Sequence, residues 1–141
     1  MNCLESTSLK LSEISKNLDL YAEKAVVKSE AWMIDINRAN MMQGFNTDGS
    51  EIGGYASYIY EQLKSRMNPK AGGRVDLFLD GGYQGSMFVE IKGGKFKIES
   101  EDEKYSELTA NYGDKHFGVP DKDWGTFGKV LMSELTKLIN I

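Results

Sequence analysis

Met87-Phe88-Val89-Glu90-Ile91-Lys92-Gly93-Gly94-Lys95-Phe96-Lys97-Ile98-Glu99-Ser100 is the stretch that decides the fold. Met87, Val89 and Ile91 alternate with Phe88, Glu90 and Lys92. After the glycine pair, Phe96 and Ile98 alternate with Lys95, Lys97 and Glu99. A period of two puts one set on a buried face and the other in water, the pattern of a strand. Gly93-Gly94 supplies the positive φ angles of a type I′ turn, so residues 86–100 read as a hairpin. A lone hairpin is marginal in water, and the helices on either side must cover its apolar face.

Upstream, Val75, Leu77 and Leu79 face one way in an expected strand at 74–79. Asp80-Gly81-Gly82-Tyr83-Gln84-Gly85 then forms a corner with Tyr83 packing inward. The expected fold class is α+β. A small antiparallel sheet of three or four strands (hairpin 86–100 plus strand 74–79) is covered by a long N-terminal helix and a C-terminal helix.

Residues 1–8 are polar and expected to fray. From Leu9, Leu11, Ile14, Leu18, Tyr21, Ala25, Trp32 and Ile36 mark one face of a helix. It can run to Gln43 with Gly44 as its left-handed stop, or break near Ser29 or Asp35. Trp32, Met33, Met41 and Met42 either cap the sheet or lie in a subunit interface. Tyr55 to Met67 is a second helix ended by Asn68-Pro69. Its tyrosines with Lys64 and Arg66 read as a helix with a solvated side. Residues 68–73 read as the most mobile internal loop. Ser100 and Glu103 form a capping box for a helix to Tyr112, closed by Gly113. Asp121 or Asp123 caps the last helix, striped by Trp124, Phe127, Leu131, Leu135 and Leu138.

The 141 residues fit a single domain with a core of its own. A net charge of −4 and a pI near 5.1 argue against a binder that neutralises nucleic-acid phosphates. Cys3 is the only cysteine, so no intrachain disulfide forms. No apolar run is long enough to span a bilayer, and the N-terminus lacks the basic and apolar regions of a secretion signal, so cytosolic synthesis is expected.

No catalytic, cofactor or metal residue is assigned. His116 is the only histidine and has no nucleophile in a recognisable signature beside it; it reads as a polar loop residue. One Cys and one His make no zinc set. The loop Asn46-Thr47-Asp48-Gly49-Ser50 superficially matches a calcium loop. Gly44 then falls where the first acidic ligand belongs and Tyr55 where the bidentate Glu belongs, so it is a turn. Gly81-Gly82 and Gly85 lack P-loop spacing. Asp76 and Asp80 read as a solvated edge, and the acidic run 99–103 as charge favoured at a helix N-terminus.

The order of elements carries a resemblance. A long helix precedes Asp48-Gly49 … Gly54-Tyr55; then come the corner Asp80–Ser86, the Gly93-Gly94 hairpin, and Tyr112-Gly113 … Phe117-Gly118 before a closing helix. Over residues 30–140 this resembles the neck and tail-completion proteins of tailed bacteriophages, the virion-morphogenesis or head–tail connector type. In particular it resembles the version common in phages and prophages of gut Bacteroidetes, crAss-like phages included. The chain departs at the corner, with Gly81 where the family has Thr and Tyr83 where it has Phe. The resemblance implies a non-enzymatic virion protein made in the host cytoplasm and without a cofactor. It would form a homo-oligomeric ring of six or twelve copies between portal and tail, touching other neck and tail proteins. DNA would pass through without specific binding, and no membrane is involved. The long helix and residues 68–73 are the expected neighbour contacts. One rival expectation is a non-catalytic phage-encoded binding or regulatory module acting as monomer or dimer; the other is a small enzyme using His116 and nearby carboxylates.

Overall fold

The computed structural model describes residues 17–78 and 80–139. The expected fray at 1–8, the start of the first helix at 9–16, and Leu79 lie outside them. The fold is α+β. Helices α1 (Leu18–Lys28) and α2 (Glu30–Met42) lead to α3 (Tyr58–Met67) and a 3-10 turn (Pro69–Ala71). The short α4 (Gly82–Gly85) precedes strands β1 (Met87–Lys92) and β2 (Lys95–Ser100). Helix α5 (Tyr105–Tyr112), a second 3-10 turn (Asp121–Asp123) and α6 (Trp124–Ile139) complete the chain.

The hairpin forms as its sequence dictates. Lys92 pairs with Lys95 and Met87 with Ser100 across an antiparallel ladder, and Gly93 and Gly94 sit at φ 61° and 76°. The first helix breaks at Ser29, whose hydroxyl donates to the Ala25 carbonyl at 2.8 Å. A hydroxyl bonding back to position i−4 bends a helix. The break also resets the apolar face. Met33, Ile34, Asn37, Asn40 and Met41 point inward, while Trp32 and Ile36 are half-buried and Leu18 is exposed. Gly44 at φ 83° stops α2, its N–H bonded to the Met41 carbonyl.

The core joins α2, the hairpin and α6. Met33, Met41, Ile98 and Phe127 are essentially fully buried, and Trp32 stacks on Phe127 at 5.8 Å. Helix α6 lies along α1, and α2 along β1.

Three local expectations give way. Residues 74–78 are not a strand: Arg74 makes one isolated bridge to Gly54, and among the described residues the sheet has two strands. Val75 and Leu77 are buried as the alternation requires, but Asp76 between them is buried too, and Leu77 turns left-handed at φ 57°. Ser100 does not cap α5. Its hydroxyl donates to the Tyr83 carbonyl at 2.6 Å, tying β2 to the corner, and the helix begins only at Tyr105. Residues 68–73 are held rather than loose: Ala71 is buried, and the Asn68 side-chain amide donates to the Met42 carbonyl at 2.7 Å. Among the described residues, no helix is long and apolar enough to cross a membrane.

Candidate functional site

Helix α3 begins at Tyr58, later than its periodicity suggests, because the Ser57 hydroxyl accepts the Tyr60 N–H and caps it there. Its four-residue spacing makes two stripes. Glu61, Lys64 (with Ser65 beside it) and the cap residue Asn68 form a polar stripe; Ile59, Leu63 and Met67, with Tyr58 adjoining, form an apolar one. A helix on a protein surface turns its apolar stripe inward. Here the polar stripe is inside. Lys64 and Asn68 are buried, while Tyr58 is 72 %, Ile59 81 %, Leu63 51 % and Met67 61 % exposed.

The inversion has a local cause. The Lys64 ammonium lies 2.9 Å from Asp76 Oδ1 and donates to the Phe78 carbonyl at 2.5 Å. Asp76 Oδ2 accepts from Asn68 Nδ2 at 2.9 Å, Oδ1 accepts the Phe78 N–H at 3.0 Å, and the Asp76 carbonyl takes the Gln84 amide at 3.0 Å. A buried carboxylate demands such a set of partners. The same bonds grip both sides of Leu77, where a left-handed leucine costs about 1–2 kcal/mol and persists only when its surroundings dictate it. Asp76 is therefore not part of a solvated edge. Asp80 is: it is exposed, and the Gly82 N–H and the Lys104 ammonium hold its carboxyl below the usual range.

His116 is also placed differently from the sequence reading. It is fully buried, with Nε2 2.7 Å from the Tyr83 hydroxyl and the ring against Phe117. Nδ1 has no partner among the described residues. Burial lowers the imidazole pKa to about 4, with Asp114 opposing weakly, so the ring is neutral at pH 7. Its neighbours are rings, and its backbone is clamped by Asn37. That amide donates to the His116 carbonyl at 2.6 Å and accepts the Gly118 N–H at 3.0 Å.

Three polar groups of α2, the buried Asn37 and Asn40 and the part-exposed Arg38, thus act as fasteners. Asn37 holds 116–118, Arg38 donates to the Gln84 carbonyl at 2.7 Å, and Asn40 donates to the carbonyls of Phe45 and Asn46. The three glycine-bearing stretches converge on one helix. The 46–50 loop is a turn closed on itself, with the Asp48 carboxylate accepting the Ser50 N–H at 2.9 Å and Asn46 Nδ2 donating to Ser50 Oγ at 3.1 Å.

One surface therefore stands out, the outward face of α3, and sequence reasoning missed its orientation. The signal was Asp76 between two buried apolar residues, which needs a buried cation; Lys64 on the polar stripe supplies it. Comparison with known protein families, with curated proteins and with solved structures finds no match to this chain.

Proposed function

We propose that the chain is a structural virion protein of a tailed phage, a ring-forming neck, head–tail connector or tail-completion component between portal and tail. One observation carries the reading: α3 is pinned with its polar side in and Tyr58, Ile59, Leu63 and Met67 in water. Full burial of an aliphatic side chain of this size gains about 1.5–3 kcal/mol, so an exposed stripe of them is the residue set of a protein interface. The order of glycine-bearing motifs, which resembles that of neck proteins, points the same way.

In a ring, the α3 face meets a different face of the next copy, because only head-to-tail contacts close into rings larger than dimers. The net charge of −4 suits a channel that lets DNA pass; a strongly positive lumen in an assembled ring would rule that part out. Electron microscopy of the purified protein and of intact particles, with light scattering, tests the whole. The expected result is closed rings of six or twelve copies, and Ile59→Glu with Leu63→Glu leaves a folded chain that no longer assembles. A stable monomer or dimer that joins no virion component overturns the proposal and favours a binding or regulatory module.

A further inference from the structure

We infer that the α3 face of one copy docks antiparallel onto α1 of the next copy, in the groove between α1, β1 and α6. The inference rests on the ring reading and names the surface that reading leaves open. A head-to-tail contact needs two different patches on every copy, one that protrudes and one that receives. The groove is the receiving patch. Leu20 and Val27 of α1 line it, 48 % and 57 % exposed, and the half-buried Ile91 of β1 and Leu138 of α6 complete its apolar lining. A contiguous set of open apolar side chains marks a contact surface.

Both halves of the match are on this one chain. Ile59, Leu63 and Met67 recur at four-residue steps, the anchor spacing of a helix lying in an apolar groove. From Ile59 to Met67 and from Leu20 to Val27 the apolar lines are each about two turns long, about 10–12 Å.

Charge then sets the direction. At about 100° per residue, Asp19 and Glu23 border the Leu20–Val27 line on one side, and Lys24 and Lys28 border it on the other. All four are exposed, as is Arg66, which borders the α3 stripe near its C-terminal end. Neither Arg66 nor Glu23 has an ion-pair partner among the described residues. Laid antiparallel to α1, α3 brings Arg66 to the Asp19–Glu23 side and leaves Lys24 and Lys28 in water at the far edge. Laid parallel, it turns Arg66 onto the lysines, and like charges brought together disfavour that seating. With Arg66 opposite Glu23, one turn back along α3 and one turn forward along α1 bring Leu63 opposite Val27. One direction thus satisfies the apolar and the charged contacts together.

The test uses the full chain with Cys3→Ser, light scattering for assembly, and disulfide trapping read on denaturing gels. Copies carrying both Leu63→Cys and Val27→Cys, assembled and then oxidised, should give a covalent ladder from dimer upward, because each disulfide joins α3 of one copy to α1 of the next. Either cysteine alone should give no covalent dimer. Leu20→Glu with Val27→Glu, both exposed, should leave a folded monomer. Arg66→Glu should raise the protein concentration needed for assembly at least tenfold, and Glu23→Arg in the same chain should recover it. The two readings fail separately. A wild-type chain that stays monomeric or dimeric at every concentration overturns the ring reading and this inference with it. Wild-type rings that give no ladder, or that still form with Leu20→Glu and Val27→Glu, overturn this inference alone and leave the groove to residues 1–16 of the same copy or to another virion protein. Covalent dimers from Leu63→Cys alone also overturn it, since α3 faces then meet each other.

Discussion

Replacing Lys64 by methionine keeps most of the aliphatic stem and removes the ammonium, which leaves Asp76 a buried carboxylate with no cation beside it. Two neutral donors remain on it, Asn68 Nδ2 and the Phe78 N–H, while the Phe78 carbonyl loses its donor. Removing one member of a buried pair costs about 3–5 kcal/mol, because the surviving charge stays out of water. The two retained bonds put Lys64→Met near the lower end, about 3 kcal/mol. Asp76→Asn leaves the ammonium two acceptors, the amide oxygen and the Phe78 carbonyl, and should cost less. The double variant should fall short of the sum by about 1–3 kcal/mol, since the two residues share one interaction. Urea unfolding of the four proteins measures this as a shift in midpoint at constant slope. If Lys64→Met costs less than about 1 kcal/mol, the value of an exposed pair, then Lys64 does not anchor α3 and the account of its orientation fails.

Further outcomes follow from other contacts. His116 is held neutral in the fold with a pKa of about 4, against about 6.5 in the unfolded chain. Its contribution is therefore complete above pH 6.5 and lost as pH falls toward 4, by up to about 3 kcal/mol, and urea midpoints of wild type and His116→Gln across that window should converge at the acid end. Gly44→Ala places a Cβ 2.6 Å from Arg74 Cβ at φ 83°, whereas Gly49→Ala at φ 86° meets nothing. Thermal unfolding should show about 2–4 kcal/mol lost at position 44 and about 1 kcal/mol at position 49; equal losses would mean that the 44–74 contact does not constrain the fold. Ile59→Glu with Leu63→Glu should leave unfolding free energy within about 0.5 kcal/mol of wild type while abolishing assembly. A large stability loss would mean that the α3 stripe is covered within the chain itself.

The hairpin was legible because two local rules agree there, alternation on both sides and a glycine pair whose φ angles close the turn. The stops at Gly44 and Gly113 were legible for the same reason, as each needs only a left-handed glycine after a periodic segment. Residues 74–78 were misread because Val75 and Leu77 alternate as strand residues do. What prevents pairing is Asp76, whose partners come from α3 and α4 and leave no trace in the local pattern. The facing of α3 was not legible either. Two stripes of equal length say that a helix has two sides, and only the distant carboxylate says which is inside. His116 in a polar stretch looked solvated, and its burial depends on Asn37, which clamps its carbonyl and the next turn from 79 residues away.

The stacking of Trp32 on Phe127 has a practical consequence. Phe127 also meets Trp124 edge-on at 5.4 Å, so both indoles of the chain flank one phenyl ring, Trp32 half-buried and Trp124 48 % exposed. Ultraviolet emission from the unlabelled protein therefore reports on this one spot. Detachment of the closing helix should shift both fluorophores to the red.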